Sequence, residues 1–151
     1  MMSQAHDALL EAYIDVYMSG FKYISDLVSE PTKEFNLSFE QYLIMRDIAA
    51  GQQVAMSDIA TKRGVTKAAI SRQIRVMLEH HYIEQERDAA DRRRLYLRLT
   101  PEGQKVALSI NQAIHQRFHG WVALFGEEEA QELLRLMRKV STKIIRKDNK
   151  E

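Results

Sequence analysis

The sequence predicts a mainly α-helical fold with a small β-hairpin. Over three long stretches, one early in the chain and two near its end, apolar residues recur every three or four positions, which is typical of amphipathic helices. Between them lie two shorter helical stretches joined at Gly64, followed by two runs of alternating apolar and polar residues. A short helix, a glycine turn, a second helix and a hairpin, in this order, predict a winged helix-turn-helix.

Length and composition set the bounds of the prediction. With 151 residues, of which 45% are hydrophobic, we expect one domain with its own core. Cysteine is absent, which excludes disulfides and thiolate metal sites. The N-terminus has no basic segment, and no apolar run of about 18 residues occurs. We therefore expect a soluble cytoplasmic protein without a signal peptide or membrane span, in which a single domain, 1–151, has dimerisation helices at 1–30 and 101–151 and a DNA-binding lobe at 38–99.

The first predicted helix extends from Ala5 to about Ser29. Glu30-Pro31 is expected to end it, because the residue before a proline avoids the α region. Core packing explains its many apolar and aromatic side chains, and a role for part of it as a subunit interface is the alternative.

A second helix is expected to begin after Ser38, which forms a capping-box pattern with Gln41. Gly51 is expected to end this helix in a left-handed C-cap. The residues 52–55 can then supply one short strand that pairs with the hairpin.

The helix-turn-helix begins with a predicted helix from Met56 to Arg63. Ala60 is small, which lets the second helix cross closely over the first, and Gly64 suits a turn with positive φ. Thr66 is expected to cap the second helix, which runs to about Glu79.

The outward side of that second helix is polar and basic near its N-terminus, where side chains reach bases and phosphates of a major groove. Arg72 is predicted to read bases, because arginine to guanine is the commonest specific contact. Lys67 and Arg75 are predicted to hold phosphates. The predicted DNA-binding residues of this helix are Thr66, Lys67, Ala68, Ser71, Arg72 and Arg75.

The predicted hairpin pairs Tyr82–Arg87 with Arg94–Leu99, whose leucines alternate with polar residues. Consecutive arginines at its tip repel each other unless an anion is near, and arginine can enter a narrow minor groove. From Thr61 to Arg98 there are ten basic and five acidic residues, whereas the whole chain has a net charge of only +1. This concentration predicts nucleic-acid binding, with a solvated charge run as the other interpretation. The predicted DNA-binding residues of the tip are Asp91, Arg92, Arg93 and Arg94.

After the hairpin, Thr100-Pro101 is expected to start a helix that runs to about Phe125. Gly126 is expected to break it, and a last amphipathic helix follows. That helix begins with three glutamates and ends with basic residues, the charge order that the helix dipole prefers: Lys139, Lys143, Arg146 and Lys147.

Most of the chain resembles the multiple-antibiotic-resistance regulator (MarR) family. The segments that carry the resemblance are SDIATKRGVTKAAISRQI and LEHHYIEQERDAADRRRLYLRLTPEG. The most specific part is the wing pattern D-x-x-D-R-R, here Asp88 and Asp91–Arg93, followed by Leu99–Gly103. The family commonly has glycine where His81 stands, so this histidine must adopt a left-handed conformation or the helix must end differently.

The resemblance implies a homodimeric bacterial transcription regulator, in most cases a repressor that binds an inverted repeat. It implies that Arg93 enters the minor groove, held by a salt bridge to Asp91. Many members release DNA when a small molecule binds between the dimer helices and the DNA-binding lobe. A small apolar or aromatic effector is therefore expected, and the predicted ligand-binding residues are Tyr17, Phe21, Tyr42 and Phe118.

Two other functions stay open. His115 and His119 have a spacing that can bind a metal, which would make the protein a zinc-type regulator. However, zinc-sensing relatives carry a histidine where Tyr42 stands, and no metal ligands or cofactors are predicted. A winged helix used only for protein contacts is the second alternative. The sequence has no glycine-rich phosphate loop and no hydrolase motif, so we predict no catalytic residues and no enzyme activity.

Overall fold

The computed structural model describes residues 2–51 and 53–145. The N-terminal segment forms helix α1, Met2–Val16, a π-helical turn, Tyr17–Phe21, and helix α2, Lys22–Lys33. The prediction that Glu30-Pro31 ends this helix is wrong, since Pro31 lies inside α2. The preference against α conformation before proline is outweighed here by packing, because Leu27 and Thr32 on either side of it are buried.

Helix α2 ends instead at a left-handed asparagine. Asn36 has a φ of 56°, and its N–H donates to the Lys33 carbonyl. The N–H of Leu37 donates to the Thr32 carbonyl. These two bonds form a Schellman motif, and Leu37 then packs into the core.

Helix α3, Phe39–Ala50, starts with the predicted capping box. The Ser38 hydroxyl accepts from the Gln41 N–H at 3.1 Å, and the Gln41 side chain accepts from the Ser38 N–H at 2.9 Å. The prediction for Gly51 is wrong, because its backbone is extended (φ −101°, ψ 156°). Glycine is needed there because a Cβ would collide with the Val54 side chain.

The lobe after α3 consists of three strands and two helices in the predicted order. They are β1, Val54–Ala55, helix α4, Met56–Arg63, helix α5, Lys67–Glu79, and the hairpin strands β2, Ile83–Arg87, and β3, Leu95–Leu99. The sheet is antiparallel with β3 in the middle, and Leu97 faces both Val54 and Gln85. Of the predicted strand at residues 52–55, Gln52 lies outside the described residues.

The end of α5 explains how the chain turns into the hairpin. His81 has a φ of 58°, so it adopts the left-handed conformation that the sequence left open. Its N–H donates to the Leu78 carbonyl, and the Tyr82 N–H donates to the Met77 carbonyl. This is a second Schellman motif with histidine in place of the usual glycine.

One apolar cluster joins these elements. It takes side chains from α3, both helices of the helix-turn-helix, the sheet and the first part of the next helix, and at least Tyr42, Met45, Ile59, Met77 and Ile110 are almost fully buried. The core thus fixes α5 and the hairpin on one support.

Helix α6, Pro101–Phe125, starts as predicted, because the Thr100 hydroxyl accepts from the Gly103 N–H at 2.9 Å. Gly103 also lies so close to the Tyr82 carbonyl that a Cβ would collide with it. Helix α6 therefore packs directly on the chain that leaves α5.

The chain divides into two compact units at Ile114/His115, inside α6. The second unit holds the rest of α6, helix α7, Glu127–Val140, and a π-helical turn, Ser141–Ile145. Gly126 separates the two helices with a φ of 107°. Of the basic residues predicted to end this helix, Arg146 and Lys147 lie outside the described residues. No helix in the described part of the chain has both the length and the apolar character needed to cross a membrane.

Candidate nucleic-acid interface

The turn between α4 and α5 is fixed by local bonds. Gly64 has a φ of 64°, as predicted, and its N–H donates to the Thr61 carbonyl. The Val65 N–H donates to the Ala60 carbonyl at 3.1 Å. Thr66 caps α5, since its hydroxyl accepts from the Ala69 N–H at 3.1 Å. The start of α5 therefore has a defined direction.

Helix α5 has one buried side and one exposed side. Ile70, Ile74 and Met77 are at most 3% exposed and hold the helix on the core. The six residues predicted to contact DNA are all exposed, and the structure places them along the first part of the helix: Thr66, Lys67, Ala68, Ser71, Arg72 and Arg75.

Two polar contacts between α3 and the helix-turn-helix were not predicted. Asp47 accepts from Lys62 Nζ at 2.7 Å and from Arg63 Nη2 at 2.6 Å. Burial alone would raise the pKa of Asp47, but the hydrogen bonds from these two cations outweigh it and lower the pKa. Gln41 Nε2 donates to Gln73 Oε1 at 2.9 Å and so connects α3 to α5. Partners separated by 15 to 32 positions give no local sequence signal.

The tip of the hairpin is a hydrogen-bonded turn. Asp88 Oδ1 accepts from the Ala90 N–H at 2.8 Å, and Asp88 Oδ2 accepts from the Tyr96 hydroxyl at 3.0 Å. The bonds from Ala90 and Tyr96 lower the pKa of Asp88. Across the turn, the Asp88 N–H donates to the Arg94 carbonyl at 3.0 Å.

The predicted salt bridge between Asp91 and Arg93 is wrong. Asp91 Oδ1 accepts instead from the main-chain N–H of Arg93, at 3.1 Å. The short aspartate side chain satisfies this nearby amide, which stabilises the turn. The guanidinium groups of Arg92 and Arg93 are exposed and form no ion pair with any residue that the structure describes.

The other arginines of the hairpin do have partners. Arg94 lies 3.6 Å from Asp58 on α4 and 5.8 Å from the centre of the Tyr96 ring. Arg98 lies 3.7 Å from Glu84 and 3.3 Å from Glu86. The unpaired positive charge is therefore at the tip, while the charge on the strands is balanced.

The four residues predicted to bind a ligand are not brought together within one unit. Tyr42 is 1% exposed, and its hydroxyl donates to Asn111 Oδ1 at 3.4 Å. Tyr17 and Phe21 are exposed on the π-helical turn, with ring centres 5.9 Å apart. Phe118 lies in the second unit, next to Trp121.

The histidine pair is also in the second unit. His115 and His119 are exposed, with ring centres 6.1 Å apart. No group of three or more histidine, aspartate or glutamate side chains suited to a metal ion occurs within residues 2–51 and 53–145.

Comparison with known proteins points to one family. A sequence model of the MarR family matches residues 35–94. The transcriptional regulator HosA of Escherichia coli O127:H6 is 33% identical over 108 residues, which are 68% of this chain and 78% of HosA. Staphylococcus aureus MarR in complex with salicylate and kanamycin has a TM-score of 0.72 at 20% identity, over 94% of this chain and 96% of that one. The S. aureus MepR–DNA complex has a TM-score of 0.72 at 21% identity, over 87% of this chain and 98% of that one. These two structures show a likeness of fold.

Proposed function

The chain belongs to the MarR family of DNA-binding transcription regulators, and on that premise we propose that it is a homodimeric, ligand-responsive repressor of an inverted-repeat operator. The observation that carries the proposal is the pairing of two exposed features on one lobe. One is the polar face at the start of α5, and the other is the pair of unpaired arginines, Arg92 and Arg93, at the hairpin tip.

We assign the major groove to α5 and the minor groove to the tip. Arg72 reads a base, Lys67 and Arg75 hold phosphates, and Arg93 enters the minor groove. The likeness of fold to MepR, whose structure is a complex with DNA, supports this arrangement.

A homodimer follows from apolar side chains that the chain itself leaves uncovered. On α1, Leu10 and Tyr13 are each 57% exposed, and on α7, Met137 and Val140 are 48% and 50% exposed. Exposed apolar stripes of this kind mark interaction sites. A two-fold dimer would also present two α5 helices to half-sites roughly 34 Å apart.

A small aromatic molecule is the effector class that we propose. S. aureus MarR, which shares the fold, binds salicylate in its structure. A ligand that favours one arrangement of the two lobes lowers operator affinity, because both half-sites must be met together. We further propose that the protein acts in the bacterial cytoplasm, where the operator is, and has no catalytic role.

The test is selection of bound sequences from a random duplex library at a salt concentration near physiological. Enrichment of an inverted repeat with half-sites about one helical turn apart is the expected result. A single unpaired half-site would contradict the dimeric proposal. Weak binding without any motif, repeated after the protein has been unfolded and refolded to remove bound ligand, would contradict sequence-specific recognition. A motif that disappears only when zinc is added would favour the metal-responsive alternative.

A further inference from the structure

A cavity of about 260 Å³ lies between α3 and the helix-turn-helix. Its lining residues come from α3, from the end of α4, from the turn and from the first half of α5: Glu40, Leu43, Ile44, Arg63, Val65, Ala69, Ile70 and Gln73. A cavity of about 150 Å³ is enough for benzene, and drug-sized ligands need upwards of about 300 Å³. The volume therefore suits a single aromatic ring with one substituent.

The walls combine apolar side chains with hydrogen-bond donors that have no partner. Arg63 is anchored through Nη2 to Asp47, but its Nε is fully buried and bonds to nothing in the described chain. Gln73 uses its Oε1 to accept from Gln41, and its NH₂ group has no partner among the residues that the structure describes. A buried donor without an acceptor is rare in proteins, so a molecule that offers an acceptor is favoured here.

Charge decides which acceptor fits. The positive charge of Arg63 is already balanced by Asp47, and Glu40 adds a negative charge to the cavity wall. A carboxylate ligand would meet two like charges, while an ammonium ligand would supply no acceptor to Arg63 or Gln73. An uncharged carbonyl or amide satisfies the donors without this repulsion.

We propose that this cavity binds an uncharged aromatic molecule with a hydrogen-bond acceptor, and that its occupant changes operator affinity. The second half rests on the proposed function. Val65 precedes the cap of α5, and Ala69 donates its N–H to the capping hydroxyl of Thr66. The occupant therefore contacts the residues that set the direction of the DNA-reading end of α5. Coupling between two binding sites is reciprocal, so operator binding must change ligand affinity by the same factor.

Three ring compounds of similar size test the cavity without DNA. Benzamide is uncharged, benzoate is an anion and benzylamine is a cation, and each is titrated by ligand-observed NMR. Benzamide is expected to bind, and the two ions at least about tenfold more weakly, the loss expected when a charge is desolvated without a partner. Equal binding of all three, or tighter binding of benzoate, would overturn the assignment.

Two variants of the wall and one control locate the site. Arg63→Lys keeps a positive charge for Asp47 but removes the Nε donor, and Leu43→Phe fills the cavity. Both are expected to weaken benzamide binding about tenfold, whereas Leu108→Phe, at an exposed leucine on α6, leaves it unchanged. Thermal melting establishes that each variant folds. Wild-type affinity in the folded Leu43→Phe protein would overturn the site.

The regulatory half has its own readout. The operator Kd is measured with and without saturating benzamide, and a change of about threefold or more that is absent in Leu43→Phe is expected. An unchanged Kd with bound benzamide would overturn the coupling but leave the cavity assignment standing. Failure of the proposed function would be recognised separately, as absence of operator binding before any benzamide is added.

Discussion

The role of the hairpin tip can be tested by Arg93→Ala. The Arg93 guanidinium is exposed and forms no ion pair in the described chain, so its removal breaks no contact within the protein. The turn itself is held by the main-chain N–H of residue 93, which alanine retains. Any loss of DNA affinity in a folded variant therefore comes from a contact with DNA.

Arg98→Ala is a matched control on the same hairpin. It removes the same charge, but Arg98 lies 3.7 Å and 3.3 Å from Glu84 and Glu86, so its charge is already balanced. Such an exposed pair contributes at most about 1 kcal/mol to folding. Arg93→Ala is expected to weaken operator binding at least about tenfold, which is about 1.4 kcal/mol, and Arg98→Ala much less.

The assay is operator binding at several salt concentrations. If Arg93 neutralises phosphate charge in each half-site, the slope of log K against log salt decreases in magnitude by about 0.9 for each protomer and about 1.8 for the proposed dimer. Equal affinities for the two variants would refute the special role of the tip. An unchanged slope with reduced affinity would mean that Arg93 contacts bases without neutralising phosphate charge.

Three further predictions concern stability. Gly103→Ala forces a Cβ into the neighbouring main chain and is expected to lower the free energy of unfolding by about 1–3 kcal/mol, whereas Gly120→Ala in the same helix, with nothing within 4 Å, is expected to be neutral or stabilising; thermal melts with equal Tm values for the two would contradict this. Asp47→Asn leaves a half-buried guanidinium uncompensated and should cost about 1.5–3 kcal/mol in urea unfolding at neutral pH. Because the pKa of Asp47 is lowered in the fold, its contribution is full above the ordinary carboxyl pKa and is lost as the pH falls through the lowered value, so the variant's disadvantage should disappear in acid. Tyr96→Phe removes a bond that lowers the pKa of Asp88, so an NMR titration should show that pKa moving toward its ordinary value; no movement would mean that the main-chain bond alone sets it.

The features that were predictable from the sequence are those set by local bonds. Ser38, Thr66 and Thr100 each accept from an N–H three positions later, and each was predicted from residue type and spacing alone. The helix-turn-helix and the strands agree with their predicted ranges to within one residue for the same reason. Periodicity and caps are properties of short segments, which the sequence displays directly.

The errors occurred where tertiary packing overrides local preference. Pro31 was expected to end a helix, but burial of its neighbours keeps it inside α2. Gly51 was expected to supply a positive φ, but it is required because Val54 packs against its Cα. The local sequence identifies glycine and proline as unusual positions without showing which of their properties the fold uses.

The same limit applies to the apolar stripes of the helices and bears on the assembly. The stripe of α5 and the stripes of α1 and α7 have the same helical period in the sequence. The lobe covers the first, since Ile70 and Ile74 are at most 3% exposed, whereas Leu10 on α1 and Val140 on α7 remain at least half exposed. Periodicity predicts that a face will be buried and does not specify whether the chain itself or another molecule covers it. The core of the lobe is complete without these terminal stripes, so burying them adds association free energy rather than lobe stability. A regulator built in this way can change the spacing of two DNA-reading lobes without unfolding either of them.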